Sequence, residues 1–253
     1  MRLERQDQTG IFIIDTERNN AINMAFIREA HEIMDEAERD PDIRALVVTS
    51  KQKSLFCPGV DILSMVDKSP DEIRVFFEGL TGMIRRKFAY PKPVVYALNG
   101  HTIAGGCALA LTGDYRLMAK GRNYMGLIEI DIGLALPIGA VTMITHVCGG
   151  HIANLILSSG ERYTPEKALE LNLVDELVDK EMLLDRAVER AQLLGSKPPS
   201  GYRRLKRYLR QSVVEKMKSL DEAHLDDCVD QWFDDETQKH VTAAVEQMTK
   251  PRP

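Results

Sequence analysis

Short β-branched runs alternate with helical patterns along the first two thirds of the chain, and this alternation restricts the fold more than any other feature. Ile11–Ile14, Ala45–Thr49 and Pro93–Leu98 read as strands bounded by polar residues. Between the first two, Ile22, Phe26, Ile27, Ala30, Ile33, Met34 and Ala37 recur at helical spacing, with Asn23 placed to cap the start. Ser69-Pro70-Asp71-Glu72 is a second helix start, with a cap residue, a proline in the first turn and an acid at the third position. Strand–helix–strand order on a scale of about 30 residues implies crossover connections and a mainly parallel sheet, an α/β fold. Beyond Thr164-Pro165-Glu166, which opens a short helix, Leu173–Val178 is the last expected strand. Helical patterns then cover 182–195, 201–217 and 221–249, with breaks at Lys197-Pro198-Pro199 and Ser219. The expected layout is an α/β core over 1–195 and a helical region over 196–253.

Charge and apolar patterning exclude several classes of function. With 33 Lys+Arg against 38 Asp+Glu, the net charge of −5 does not suit a protein held to nucleic acid by phosphate contacts. The N-terminal segment lacks the apolar stretch of a signal peptide, so a cytoplasmic protein is expected. No Lys, Arg, Asp or Glu occurs among the 29 residues from Ile132 to Gly160, enough on paper to span a bilayer. Pro137, His146, Gly149-Gly150, His151 and Asn154 interrupt the run, so it reads as two buried helices rather than a membrane segment. Cys57, Cys107, Cys148 and Cys228 show no CxxC spacing, which suits free thiols in a reducing compartment and gives no metal site.

Three segments carry candidate chemistry. Phe56-Cys57-Pro58-Gly59-Val60-Asp61 and Asn99-Gly100 through Ala104-Gly105-Gly106-Cys107 are glycine-containing turns where strands give way to helices. Two such turns on neighbouring strands can aim two backbone N–H groups at one oxygen, an oxyanion hole; each alone is equally a tight turn with no ligand. Glu129 stands among apolar residues in Gly126–Gly133. A carboxylate there either faces solvent or is buried with a raised pKa, as a general base near neutral pH requires.

Taken together these segments resemble the crotonase superfamily, the enoyl-CoA hydratase/isomerase family, from about Arg5 to Val178. Asn20-Ala21-Ile22 is similar to the family's Asn-Ala-Leu/Met segment before the first helix. Phe56–Asp61 resembles its F-x-A-G-x-D turn with Pro58 in place of Ala, and Pro91–Cys107 resembles its K-P-V-I-A…N-G…G-G-G-C stretch with Ala104 in place of the first glycine. The resemblance implies a crotonase-like (ClpP/crotonase) spiral of ββα units with a C-terminal helical trimerisation region, hence a homotrimer or a dimer of trimers. It implies no permanently bound cofactor, with a coenzyme A thioester as substrate. The Val60 and Gly105 N–H groups would hold the thioester oxygen, and coenzyme A would lie near Asn20, Ala21, Ile22, Pro58, Gly59, Asp61, Ile62 and Ile103.

Acid and base groups decide the reaction. Hydratases of the family use two glutamates; here Ala108 stands at the first position and Glu129 at the second. Dienoyl-CoA isomerases need further acids at the positions of Pro137 and Ala108. A single base matches the Δ3,Δ2-enoyl-CoA isomerases, whose G-L-x-E-x-x-(L/I)-G segment resembles Gly126–Gly133. Alternatives are hydration with an unusual second group, another enolate reaction such as decarboxylation, or a non-catalytic acyl-CoA-binding protein. Asp61 is expected to cap the helix after its turn. Asp131 would share a face with Glu129 only if that segment is extended. His101 is expected to be packed or solvated, and Arg203, Arg204, Lys206, Arg207 and Arg210 to form a solvated helix face, with contact to CoA phosphates as the sharper alternative.

Overall fold

The computed structural model describes residues 1–249, so residues 250–253 of the expected helical region lie outside the described residues. A hairpin of β1 (Arg2–Gln6) and β2 (Thr9–Ile14) leads into α1 (Met24–Arg39), β3 (Ala45–Ser50) and the three-residue β4 (Leu55–Cys57). Next come α2 (Pro70–Phe88), β5 (Val94–Leu98), β6 (His101–Ile103), α3 (Gly105–Leu111), β7 (Tyr115–Ala119) and β8 (Met125–Gly126). The chain continues through α4 (Ile138–Cys148), α5 (Gly150–Ser159), α6 (Pro165–Glu170), β9 (Glu176–Val178) and α7 (Leu183–Gly195). It closes with α8 (Pro199–Ala223), α9 (Leu225–Phe233) and α10 (Asp235–Thr249).

A six-stranded sheet has the order β1-β2-β3-β5-β7-β9, and every pair after the hairpin is parallel. A smaller parallel sheet has the order β4-β6-β8. Successive strands alternate between the two: β3 hands over to β4, β5 to β6 and then α3, β7 to β8. This is the ββα spiral. The large sheet is buried on both faces. Phe12, Leu46, Val48, Tyr96 and Met118 face α1, α2 and the small sheet, while Ile11, Val47, Val95 and Leu117 pack with Ala187, Val188 and Ala191 of α7. Burial on both faces explains why β2, β3 and β5 read as continuous apolar runs.

Both helix starts form as the sequence predicts. The Asn23 side chain accepts from Phe26 N, and Ser69 and Glu72 make a reciprocal capping box. Five strands escape sequence reading by shortness or polarity, among them β7, which opens on Tyr115 and Arg116. Charged β1 is an exposed edge, and β4, β6 and β8 have too few residues to show alternation.

Three expectations change. The uncharged segment does form two helices, but α4 buries only Gly139, Ala140, Met143 and Ile144, and α5 only Ala153 and Ile156. Lack of charge does not require burial; the outer faces of both helices are apolar or uncharged, and no element among the described residues covers them. No helix among the described residues is long and apolar enough to cross a membrane. Helix α8 runs through Ser219 to Ala223, and the breaks fall instead at His224 and Asp234. The basic run is not a uniform solvated face. Arg203, Arg204 and Arg207 are exposed, but Lys206 and Arg210, one turn apart, reach inward to the two oxygens of Asp114. Burial pushes Lys206 down to about 8; Asp114 opposes that shift and Arg210 adds to it.

Candidate active site

The turn after β4 is fixed by a segment some forty residues upstream. Asn20 is fully buried in the left-handed region, φ 64°. Its amide donates to Phe56 O (3.0 Å) and Ser50 Oγ (2.7 Å) and accepts from Thr16 N (3.2 Å). Ile22 N donates to Gly59 O (2.7 Å), and Asp61 N donates to Ile22 O (2.9 Å). These bonds tie up the carbonyls beside Val60. Gly59 needs to be glycine twice over: its φ is 98°, and a Cβ there would come within 2.7 Å of Ala104 Cβ.

The second turn lies against the first. Asn99 donates to Ser50 O and Gln52 O, at 2.8 and 2.7 Å, and a Cβ on Gly100 would sit 2.1 Å from the backbone of Ser54. Ala104 N bonds Gly126 O across to β8 (2.8 Å), and Ala104 takes φ 53°, ψ −130° before α3 begins at Gly105. A Cβ on Gly105 would lie 3.7 Å from Val60 N. Among the described residues, the N–H groups of Val60 and Gly105 have no acceptor. The two turns therefore bring two unused backbone donors to one place.

The residues expected around a ligand divide into two sets. Ala21, Pro58, Val60, Ile62, Ile103 and Gly105 are half-buried along this crease, whereas Asn20, Ile22, Gly59 and Asp61 turn inward and hold it. Asp61 stands at the N-cap position, but its side chain does not cap. Its turn continues as one 3-10 turn, Ile62–Ser64, with no side-chain cap bond. Its buried carboxylate instead receives Arg18 Nε (3.0 Å) and Nη2 (3.2 Å), with Asn23 Nδ2 at 3.4 Å. Nothing in local spacing pointed to Arg18, 43 residues away.

Glu129 opens a 3-10 turn, Glu129–Ile132, three residues after β8. Its Oε2 is buried and has no hydrogen-bond partner among the described residues. Burial pushes its pKa up to about 7, against the lesser opposing pull of its own and Ile128's backbone N–H. The fully buried Cys107 of α3 is held well above the ordinary thiol value, first by burial and then by the charge of Glu129. Ala108, next along, is buried and carries no second acid. Because the segment is a 3-10 turn and not extended, Asp131 diverges from Glu129: it lies across Gly160, with Oδ2 3.8 Å from Arg162. His101 is a packing residue. Its Nδ1 accepts from Tyr124 N (3.2 Å), and its ring stacks on Tyr124 at 5.5 Å.

The C-terminal helices complete the back of the site, a contribution with no local signal. Gly133, which closes the Glu129 turn with φ 74°, has its carbonyl bonded by Gln231 Nε2 and Thr237 Oγ1, both at 3.3 Å. All four cysteines are free, and no metal-ligating cluster exists among the described residues.

The enoyl-CoA hydratase/isomerase family model matches residues 6–251, nearly the whole chain. The chain belongs to this family, part of the crotonase superfamily. Enoyl-CoA delta isomerase 1, mitochondrial, of Rattus norvegicus is 28% identical over 188 residues, 73% of this chain and 65% of that protein, just under two thirds of its length. Enoyl-CoA hydratase domain-containing protein 2, mitochondrial, of Homo sapiens is 31% identical over 75% of this chain and 64% of its own length. Among solved structures, human mitochondrial delta3-delta2-enoyl-CoA isomerase superposes with a TM-score of 0.94 over 98% of this chain and 97% of that one, at 23% identity. The crotonase fold is therefore present throughout, helical C-terminal region included.

Proposed function

We propose that this enzyme moves a double bond in an enoyl-CoA thioester, as a Δ3,Δ2-enoyl-CoA isomerase with Glu129 as its single base. One observation carries the reading: Glu129 presents a buried, unpartnered carboxylate oxygen with a pKa of about 7, and the neighbouring position that would hold a second acid is Ala108. A 1,3-proton shift needs one base that takes a proton from C2 and returns it at C4. Adding water needs a second group to place the water and pass on its proton. The Val60 and Gly105 N–H groups would bind the thioester oxygen as it gains charge, a type of contact worth about 2.7–4 kcal/mol of barrier per donor. The coenzyme A moiety would pass the half-buried Ala21, Pro58, Ile62 and Ile103, and no permanently bound cofactor is needed.

Helices α4, α5 and α8 supply the subunit contacts of a trimer in this reading. Leu205, Tyr208 and Leu209 of α8 are 59%, 66% and 62% exposed, which suits a covered surface; a monomeric mass in light scattering would exclude it. The deciding assay offers the protein a 3-enoyl-CoA and crotonyl-CoA side by side. Isomerisation should dominate; faster hydration of crotonyl-CoA overturns the proposal in favour of a hydratase.

A further inference from the structure

A cleft of about 330 Å³ opens where the C-terminal end of α1 meets the starts of β3 and β5 and the junction of α7 with α8. Strands β3 and β5 run parallel, and the candidate active site lies beyond their other ends. The six residues of β3 alone separate the two places by about 20 Å. Arg39, Arg44, Lys92, Lys197 and Arg203 all line this cleft, over a floor that includes Pro41, Pro91, Pro93 and Tyr202.

Arg39 is paired with Asp35 at 3.9 Å, but among the described residues the other four cations have no carboxylate within 4.0 Å. Arg44 Nη2 donates to Lys197 O (3.2 Å), and Lys92 Nζ donates to Ala37 O (2.6 Å) and Asp40 O (2.7 Å); all three acceptors are carbonyls. Glu38, the one acid lining the cleft, is 3.6 Å from Arg86 and is engaged there. Lys92 is lowered from the ordinary lysine value chiefly by burial; Asp40 and Glu38 oppose the shift, and Arg203 and Arg44 add to it. The cations are close enough to repel one another. An anion among them would relieve that repulsion, and guanidinium groups match phosphate oxygens in pairs. The walls are already ordered: a Cβ on Gly195 would lie 3.2 Å from Arg44 Cβ, and the prolines hold fixed backbone angles. Little ordering cost remains for a ligand.

We propose that this cleft is a second, anion-binding site that takes a small organic phosphate. The phosphate groups sit among Arg44, Lys197 and Arg203, and the ring or chain lies on the floor of prolines and Tyr202. The inference does not depend on which reaction Glu129 performs.

Calorimetry on the full chain tests it, with ADP and inorganic pyrophosphate as probes. ADP should bind at one site per chain, more tightly than pyrophosphate. Binding should weaken at least tenfold in Arg44→Gln/Arg203→Gln and stay unchanged in Glu129→Gln. Lys197→Glu, on the exposed rim, should weaken it as well and serves if the double variant unfolds. The KM for an enoyl-CoA should not change in these cleft variants. No ADP binding at millimolar concentration, equal binding to wild type and Lys197→Glu, or pyrophosphate binding as tightly as ADP would each overturn the proposal. So would a KM that rises in step with the loss of ADP affinity, since the cleft would then hold the substrate's own nucleotide.

Discussion

The turn after β4 and the turn after β8 each hold a carboxylate, and they treat it in opposite ways. Asp61 is buried with both oxygens engaged, by Arg18 on two bonds and by Asn23. Glu129 leaves Oε2 buried with no partner among the described residues. A paired carboxylate is a clamp: its charge is satisfied, and moving it breaks several bonds. An unpaired one is a reagent, whose ionised form is costly enough that taking a proton becomes favourable near neutral pH. The clamp shapes the turn that presents Val60 N–H; the reagent follows β8, whose Gly126 carbonyl holds Ala104 N just before Gly105 N–H.

The contrast is broken most severely at Glu129. Glu129→Gln keeps the shape but removes the base, and turnover of a 3-enoyl-CoA should fall by about 10²–10⁴-fold with little change in KM. Wild-type-like turnover in this variant would remove Glu129 from the mechanism.

The same substitution should affect stability in the opposite direction. A pKa raised from 4.5 to about 7 contributes stability that is fully present below about 4.5 and is lost as pH rises through about 7. Glu129→Gln should therefore gain on the wild type between pH 4.5 and 8, by up to about 3 kcal/mol in denaturant unfolding. Activity runs the other way: kcat/KM should fall as pH drops below about 7, because the base works ionised. A flat difference in stability across this range would mean that Glu129 is not desolvated.

Releasing the clamp should do less. Asp61→Asn removes the charge that holds Arg18, and Arg18 is half-exposed and can turn to water. A loss of about 1–2 kcal/mol in stability is expected, with a fall in kcat/KM of about tenfold as the Val60 turn loosens. A loss of stability with unchanged kinetics would separate Asp61 from the site. The smallest expected effect is a gain. Ala104 holds φ 53°, a region that suits glycine, so Ala104→Gly should stabilise by up to about 1 kcal/mol and raise Tm by a few degrees. A lower Tm would show that the Ala104 methyl group, which a Cβ on Gly59 would crowd, contributes packing that outweighs the strain.

The reagent was legible in the sequence and the clamp was not. Glu129 stands out because a carboxylate among apolar residues is a local anomaly. The glycine turns stand out because positive φ and close backbone approach leave few other choices, as at Gly59 and Gly100. Asp61 was read as a helix cap because caps are local, whereas its partner Arg18 is brought in by folding. The small sheet was missed because strands of two or three residues carry no periodicity. The closing bonds from Gln231 and Thr237 to Gly133 span about a hundred residues, and no spacing rule reaches that far. Helix starts at Asn23 and Ser69 were read correctly because their signals are contained within four residues.

The alternation of strands between two layers has a consequence for how such a site changes over time. Each passage from the large sheet to the small one ends in its own working part: the Val60 turn after β4, the Gly105 turn after β6, the Glu129 turn after β8. The parts meet in space but belong to separate repeats, each anchored by its own strand pairing. A substitution in one repeat can change the acid–base equipment, as alanine at position 108 illustrates, while the register of the others stands. The architecture works as a rack of exchangeable tools around a fixed pair of backbone donors, and new chemistry can be tried one tool at a time.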